Sequence, residues 1–155
     1  MKLPTLIRRR PGGLAECPYF HLSMLDFGRF SFRLHRWTGD DDHRAMHDHR
    51  QWFWTLVLRG GYTDVSYDPE TGRITRDRLR RFSLRFRPAT FIHQVLDIEP
   101  GTVTLLLAGR PARRWGFWVG GKLIKRDRYF AEWGHHGCTP DHPPVRMRSD
   151  GTRIE

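Results

Sequence analysis

The sequence predicts an all-β fold, an antiparallel barrel or jelly roll formed by a single domain. Short segments with strand periodicity recur along the 155 residues. Turns rich in glycine and proline separate them, and no segment sustains a helical period. Evenly spaced strands of this kind are typical of barrels and jelly rolls. A chain of this length can bury a core, and six Trp, ten Phe and four Tyr supply large apolar side chains for it.

The strands are predicted in order from alternation and from the turns between them. Residues 27–37 alternate apolar and polar side chains and end at turn residues 38–42. Further strands are expected at residues 47–58, 62–67, 74–82, 86–98, 102–107 and 115–119, the last of which closes the barrel. Residues 102–107 are almost uniformly apolar, so this strand is expected to be buried on both faces.

The two ends of the chain show weaker patterns. Residues 1–20 are expected to pack as an arm or a short helix, and residues 21–122 to form the barrel. Residues 123–155 form a predicted C-terminal extension with a short helix around 126–133. Residues 140–155 offer little to bury, so this end of the extension is expected to be flexible.

The net charge of +10 raises the question of a nucleic-acid partner. Arginine outnumbers lysine by 24 to 3, which indicates codon bias rather than a surface selected for phosphate. Arg76, Arg78 and Arg80 alternate as the solvent face of a strand would. No recognition helix, zinc-finger spacing or aromatic RNA-binding motif accompanies them. A nucleic-acid partner is therefore not expected.

Other composition features favour a cytoplasmic protein. No apolar run approaches the length of a membrane span, and the N-terminus lacks the pattern of a signal peptide. Cys17 and Cys138 are the two cysteines and cannot form a disulfide framework. We expect neither secretion nor a membrane partner.

Two histidines one residue apart, His47 and His49, stand at the head of a predicted strand. Side chains at i and i+2 share a strand face about 6.6 Å apart, so both imidazoles can hold one metal at roughly 2.0–2.1 Å. His93, in an apolar run opened by Pro88, is the candidate third ligand. The alternative, that these are ordinary surface or core histidines, stays open. Imidazole suits Fe, Zn, Cu and Ni alike, so ligand type does not select the metal.

If the three histidines face the interior, strand parity decides which neighbours join them. The residues placed inside by parity are Gln51, Phe53, Thr55, Val57, Phe91, Val95 and Asp97. Mostly apolar walls with a few polar groups suit an enclosed small-molecule site.

The paired motifs resemble those of the cupin superfamily over about residues 30–110. The first cupin motif is a His-x-His pair, then a glutamate and a glycine. The second is Pro-x-Gly-x-x-His followed by asparagine. His47, His49 and Gly60 match the first, and Pro88 with His93 match the second. The resemblance implies a cupin jelly-roll barrel, and it implies a homodimer because cupins often pair through barrel edges.

Three positions depart from the cupin motifs. Phe53 stands where the glutamate would be, Thr90 replaces the inner glycine and Asp97 replaces the asparagine. The site is therefore similar to the three-histidine iron sites of cysteine dioxygenase and of thiol, diketone- or ring-cleaving dioxygenases. In that class the substrate chelates Fe(II) and no 2-oxoglutarate is needed. The resemblance implies a divalent metal, Fe(II) ahead of Zn, Ni or Mn.

A narrower resemblance is to small bacterial and phage cupins of undefined activity. The residues that carry it are 34–35, 46–49, 60–62, 104–107 and 114–117. This group supplies no reaction.

Several polar residues could serve a substrate. Arg33, His35 and Trp37 share one strand face. If that face is inward, Arg33 could bind a carboxylate as a bidentate fork and His35 could act as a general base; if outward, they are solvent residues. Tyr62 either lines the barrel mouth and takes part in catalysis or packs in the core. Gln51, Phe53 and Asp97 complete the expected substrate-binding set.

Other polar clusters have weaker patterns. Arg113 and Arg114 could hold an anion or simply reflect the abundance of arginine, and His43 is expected in a loop. His135, His136, Cys138 and His142 form a second cluster without the paired spacing of a zinc finger, which leaves a flexible tail or a lid over the barrel.

The function expected from these features is that of a metal-dependent enzyme acting on a small anionic metabolite. The favoured hypothesis is a three-histidine Fe(II) dioxygenase. A metal-dependent isomerase, lyase or cyclase that does not use O₂ is one alternative. A non-catalytic metal- or ligand-binding cupin is the other.

Overall fold

The computed structural model describes residues 4–14, 17–40 and 45–133. They form eleven strands and one helix. The strands are β1 (Thr5–Leu14), β2 (Cys17–Asp26), β3 (Phe30–Trp37), β4 (Phe53–Arg59), β5 (Gly61–Tyr67), β6 (Ile74–Arg80), β7 (Leu84–Arg87), β8 (Ile92–Leu96), β9 (Val103–Gly109), β10 (Gly116–Val119) and β11 (Lys122–Lys125), and the helix is α1 (Arg126–Trp133).

The strands form two antiparallel sheets that enclose the core, plus one hairpin. The larger sheet has the order β1-β2-β3-β9-β4-β7, the smaller one has the order β6-β5-β8, and β10 pairs with β11. Val57 of the large sheet packs with Tyr62, Leu79 and Val95 of the small sheet in one buried cluster. The all-β jelly-roll fold predicted from alternation and turns is confirmed.

Alternation along β4 separates an inner from an outer face of the large sheet. Phe53, Thr55 and Val57 are buried, whereas Trp54 is 40% exposed. Strand parity therefore placed these side chains correctly. The strand itself begins at Phe53 rather than at His47.

Thr5–Leu14 and Cys17–Asp26 form strands, so the arm or short helix expected through residue 20 is wrong for these residues. β1 pairs with β2, and β2 pairs with β3, which extends the large sheet by two strands. A period-2 pattern was present, since Phe20, Leu22 and Met24 alternate with other residues on β2. Pro11 and the adjacent glycines obscured the pattern on β1.

The predicted strand over residues 86–98 is two strands in different sheets. β7 pairs with β4 in the large sheet, whereas β8 pairs with β5 in the small one. The chain crosses between the sheets at residues 88–91, where Pro88 has no N–H to donate to a ladder.

The C-terminal part contains the predicted helix and one strand more than expected. α1 spans Arg126–Trp133, as the sequence predicted, and its Tyr129 stacks on Phe117 at 4.0 Å. The strand at 116–119 is not the last, because β11 follows it. The predicted flexible segment 140–155, His43 and the cluster at residues 135–142 lie outside the described residues. In the part of the chain that is described, no helix is long and apolar enough to cross a membrane.

Candidate metal centre

Three histidines converge at one end of the space between the sheets. The ligand nitrogens of His47, His49 and His93 all lie within 4.8 Å of one another. Their ring centroids are 5.2 Å apart for His47 and His49, 5.3 Å for His47 and His93, and 4.9 Å for His49 and His93. This triangle is small enough for one ion to bridge all three rings at the ordinary metal–nitrogen distance of roughly 2.0–2.1 Å.

The histidine pair lies on an extended segment that precedes β4, held by backbone bonds on both sides. The His47 N–H donates to the His93 carbonyl at 2.9 Å, and the His93 N–H donates back to the His47 carbonyl at 3.0 Å. The Asp48 N–H donates to the Gly116 carbonyl at 3.2 Å. His47 thus forms isolated β-bridges with His93 and Phe117 and does not begin a strand. The segment is nevertheless extended, so the side chains of His47 and His49 still lie on the same side of it.

Asp48, between the two histidines, points away from them and fixes the segment. Its carboxylate is 1% exposed; it accepts a bond from the Gly116 N–H at 2.9 Å and one from Arg113 at 2.7 Å. Arg113 also donates to the His49 carbonyl at 3.1 Å. The guanidinium considered as an anion site is therefore committed to holding the histidine segment.

A buried carboxylate orients His93. The Nδ1 atom of His93 lies 2.5 Å from Asp64 Oδ1, and Arg87 donates to Asp64 Oδ2 at 2.7 and 3.1 Å. Burial opposes ionisation of Asp64, but the His93 ring and the Arg87 guanidinium outweigh burial and hold its pKa below the usual value. With Nδ1 engaged, Nε2 of His93 is directed to the site, which is the carboxylate–histidine arrangement common behind metal ligands.

His49 fits a metal ligand on electrostatic grounds. Its Nε2 atom is buried, and no hydrogen-bond partner is found for it within the described residues. Burial, followed by the neighbouring His93 and His47 rings, lowers its pKa well below 6.5. A neutral imidazole with a buried lone pair is what a divalent cation requires, so the residues present fit such an ion.

Phe53 occupies the position beside the histidines where the cupin motif has a glutamate. Its ring lies 4.6 Å from the His49 ring and 6.3 Å from the His93 ring. Among the described residues, the group of potential ligands consists of the three histidines alone. A divalent ion held here would keep its full charge.

The histidines line a cavity of about 300 Å³ between the two sheets. Five residues that the sequence placed in the site also line it: Arg33, His35, Gln51, Phe53 and Tyr62. The face of β3 that carries Arg33, His35 and Trp37 is thus the inward one, which settles the alternative that the sequence left open.

Asp97 lies outside the cavity, so its predicted inward orientation is wrong. Its side chain is 60% exposed and pairs with Arg76 at 3.2 Å. Strand parity does not reach this residue, because β8 ends at Leu96 and Asp97 adopts a φ of 50°.

Arg33 is a partly desolvated cation in the wall of the cavity. The Nε atom of Arg33 donates to Ser31 Oγ at 3.0 Å. The Gln51 amide is oriented so that its oxygen faces Arg33. This oxygen accepts from both terminal nitrogens of the guanidinium, at 2.8 and 2.9 Å. Burial lowers the pKa of Arg33 from its usual value. Gln51 therefore orients the guanidinium.

His35 and Tyr62 are neutral groups in the wall of the cavity. Burial, followed by repulsion from Arg33, lowers the pKa of His35 to about 3, and its ring stacks on Phe20 at 4.3 Å. Burial, followed by the nearby Asp64 carboxylate, raises the pKa of the Tyr62 hydroxyl. Both side chains can form hydrogen bonds without changing charge near neutral pH.

Sequence reasoning missed Asp64, Arg87 and Phe20. Asp64 lies two residues beyond Tyr62 on β5, so period-2 alternation could have placed it beside Tyr62 inside the barrel. Its partnership with His93 depends on the pairing of β5 with β8, which no local pattern predicts. Phe20 was missed because β2 was not recognised.

The fold matches solved structures of oxalate decarboxylase from Bacillus subtilis. A tryptophan-to-phenylalanine variant matches with a TM-score of 0.54 and 17% identity, over 72% of this chain and 30% of that one. The enzyme at pH 4.6 matches with a TM-score of 0.54 and 17% identity, over 71% and 29%. A segment-substitution mutant matches with a TM-score of 0.55 and 17% identity, over 72% and 30%.

These comparisons establish the fold alone, an all-β jelly roll like that of the matched oxalate decarboxylase chains. The chain spans about 30% of the length of the oxalate decarboxylase chains that it matches. A scan against protein-family models and a search of the curated proteins find no match.

Proposed function

We propose that the protein is a metal-dependent enzyme acting on a small anionic molecule. The observation that carries this proposal is the triangle of three imidazoles, with ligand atoms within 4.8 Å of one another, facing a cavity of about 300 Å³. The neutral His49, with its buried Nε2 atom, and the carboxylate behind His93 support metal binding. His47, His49 and His93 would hold the ion.

The cationic wall of the cavity supports an anionic substrate. Arg33 lines the cavity, and its partners there, the Ser31 hydroxyl and the Gln51 amide oxygen, are neutral. Its positive charge is therefore available to a carboxylate that takes the place of the Gln51 oxygen. Arg87 also lines the cavity, but Asp64 already neutralises it. We assign carboxylate binding to Arg33.

The remaining residues that line the cavity orient the substrate and exclude water. His35 and Tyr62 form hydrogen bonds as neutral groups, because burial disfavours charge on either of them. Phe53 packs against the His49 ring and fills the place of a fourth protein ligand with an apolar surface. Phe20 and Trp37 give the far end of the cavity an aromatic wall.

The reaction we favour is an Fe(II)-dependent dioxygenation. When bound, the metal would act as a Lewis acid and template, with open positions for the substrate and O₂. The support is the absence of a carboxylate from the described group of potential ligands, because the two-histidine, one-carboxylate site typifies iron oxygenases that need 2-oxoglutarate.

A second candidate is a lyase, isomerase or cyclase that uses the same metal without O₂. The observation in its favour is that the matching solved structures belong to a decarboxylase, one of them studied for its Mn(II) centres. The third candidate is a non-catalytic protein, which would bind a metal or a small ligand without converting it to a product.

Metal analysis combined with O₂ uptake distinguishes the three candidates. The purified full chain is assayed with a panel of thiol carboxylates, diketones and catecholates, with and without added 2-oxoglutarate. Bound iron and substrate-dependent O₂ uptake are expected, with no stimulation by 2-oxoglutarate. Stoichiometric succinate would refute the three-histidine chemistry. Product formation without O₂ uptake would support the second candidate, and tight binding without turnover the third.

A further inference from the structure

The outer side of the large sheet carries a continuous apolar surface, which we call the outer face. The strand register places one apolar residue from each of the six strands in a single row: Leu6, Leu25, Phe32, Leu107, Trp54 and Phe86. The adjacent row contains Leu34, Leu105, Leu56 and Leu84 on four neighbouring strands. Neither row contains a charged residue.

Side chains on the outer face are unusually exposed for their type. Leu6 is 55%, Leu84 52% and Phe86 45% exposed, and Phe32 and Trp54 are each 40% exposed. Large aromatic side chains are more often buried in a core.

Three more aromatic rings extend the outer face at its margin. Phe30 lies 4.9 Å from Phe27 and 5.9 Å from Phe32, and Trp52 lies 6.3 Å from Phe86. Phe27, Phe30 and Trp52 are 42%, 37% and 39% exposed. The outer face is thus one contiguous patch rather than scattered apolar residues.

The area of the outer face corresponds to a stable protein interface. An aromatic side chain has roughly 150–250 Å² of surface, so the six exposed aromatic residues of the outer face together expose on the order of 400–600 Å². The leucines of the two rows add to this area. The largest patch on a typical monomer is about 300–600 Å². A standard interface buries about 800 Å² on each partner. The outer face therefore supplies most of one side of such an interface.

We propose that a second copy of this chain covers the outer face, with the two large sheets packed face to face about a two-fold axis. A self-complementary patch of this kind makes a closed dimer, the commonest symmetric assembly. Two sheets pack at about 10 Å through apolar side chains. The uncharged rows allow two copies with a net charge of +10 to meet without facing like charges at the centre.

This dimer differs from the one that the cupin resemblance implied. Pairing through barrel edges would use β1 or β7, which are the outermost strands of the large sheet. The outer face instead involves all six strands. The inference does not depend on the metal, so it stands or falls apart from the proposed function.

The test is the mass of the full chain in solution, measured by sedimentation equilibrium or light scattering over a dilution series. The wild type is expected to be a dimer at micromolar concentration. Trp54→Lys and Phe86→Lys each place a cation at the centre of both copies, and each is expected to weaken the dimer roughly 100-fold or more. Leu123→Lys is the matched control, because Leu123 is 42% exposed on β11, outside the outer face, and its dimer should be unchanged.

Circular dichroism verifies that each variant is folded. Leu84→Lys, at a 52% exposed position in the adjacent row, replaces any variant that fails to fold. A wild type that stays monomeric at about 100 µM, well above the dissociation constant expected for an interface of standard size, would overturn the proposal. So would a dimer that survives substitutions in both rows, or a monomer that binds anionic lipid vesicles through Trp54.

Discussion

At the residue scale, the site depends on which histidine nitrogens are already engaged. Asp64 is hydrogen-bonded to Nδ1 of His93, so the other ring nitrogen, Nε2, is the one that can bind an ion. His49 presents a buried Nε2 for which no partner is found among the described residues. The sequence predicted the His47–His49 pair from its spacing, and His93 as a candidate in a second apolar run. The missing glutamate was identified through the resemblance to the cupin motif. The sequence could not predict Asp64, whose role depends on pairing between two strands.

Removal of one histidine should strip the metal. We expect His49→Ala and His93→Ala each to lose most of the metal from purified protein, because two imidazoles give fewer bonds and a less closed site. Metal content measured by plasma mass spectrometry is the readout. His21→Ala, on β2 and outside the residues that line the cavity, should keep its metal. Unchanged metal in the first two variants would end the three-histidine hypothesis.

Asp64 should contribute to metal affinity without touching the metal. Asp64→Asn retains an acceptor for His93 but loses the negative charge that attracts the ring N–H. We expect metal affinity to fall roughly 10- to 100-fold, as for other partners behind metal ligands. A competition titration with a chelating dye measures it. Asp97→Asn is the control, since Asp97 is 60% exposed and pairs with Arg76 at 3.2 Å, outside the cavity. Equal affinity in both variants would refute the assignment.

The half-buried His35, whose ring is desolvated in the cavity wall, should make stability depend on pH. Its pKa is about 3 in the folded chain against 6.5 unfolded. Between these values only the unfolded chain binds the proton, so stability is complete above pH 6.5 and is lost as the pH falls. From pH 7 to pH 5 the loss from this group should be about 2 kcal/mol. Urea unfolding at both pH values measures it in the wild type and in His35→Phe, which keeps a ring beside Phe20.

The wild type should lose about 2 kcal/mol more than His35→Phe over this interval. Equal losses would show that His35 is not held neutral by the fold. The other histidines are common to both proteins, so their contributions cancel in the difference.

At the scale of elements, the ends of strands were harder to predict than their faces. Parity along β4 correctly assigned Phe53, Thr55 and Val57 to the interior, because one face of the strand is buried. The same rule failed at Asp97, one residue beyond the end of β8, where the backbone turns to a positive φ. Alternation predicts orientation only as far as the ladder extends.

Gly60, in the turn between β4 and β5, is a position where both the backbone conformation and the available space exclude a larger residue. Its φ is 68°, and a Cβ would collide with Thr102 Oγ1 and come within 3.0 Å of Thr102 Cα. Gly72 has a similar φ of 70° with nothing within 4 Å. We expect Gly72→Ala to cost about 1 kcal/mol for the left-handed backbone alone. Gly60→Ala should cost a further 1–3 kcal/mol, approximately, for the clash.

Urea unfolding of the two glycine variants tests this difference. The Thr102 hydroxyl accepts a hydrogen bond from the Gly61 N–H at 3.1 Å and donates to the Glu99 carbonyl at 2.7 Å, so it cannot move aside freely. Equal destabilisation by both substitutions would show that the turn relaxes around an added methyl group.

At the scale of the whole molecule, the excess of arginine is partly neutralised inside the fold. Arg78 pairs with Glu99 at 2.5 Å, Arg85 with Asp77 at 3.0 Å and Arg87 with Asp64 at 2.7 Å. With Arg76, which pairs with Asp97 at 3.2 Å, four of the seven arginines between residues 73 and 87 have carboxylate partners. This favours the expectation that the run is not a phosphate surface. The absence of a nucleic-acid partner and the cytoplasmic location stay predictions.

The jelly roll was predictable because alternation and turns are local signals that all indicated the same fold. The outer face was not. Residues 102–107 read as a strand buried on both faces, yet Leu105 and Leu107 of β9 are only half-buried in a single chain. A sequence shows that a side chain is apolar. It does not show whether the surface that buries this side chain belongs to the same chain or to a second one.

The strand β4 is shared between the cavity and the outer face. Phe53 and Thr55 line the cavity, while Trp54 and Leu56 belong to the outer face. A ligand that displaces β4 must therefore displace both surfaces together. By reciprocity, if ligand binding tightens the dimer, dimerisation raises ligand affinity by the same factor. The two cavities of a dimer would then respond cooperatively, and dilution of the protein would itself change the apparent ligand affinity.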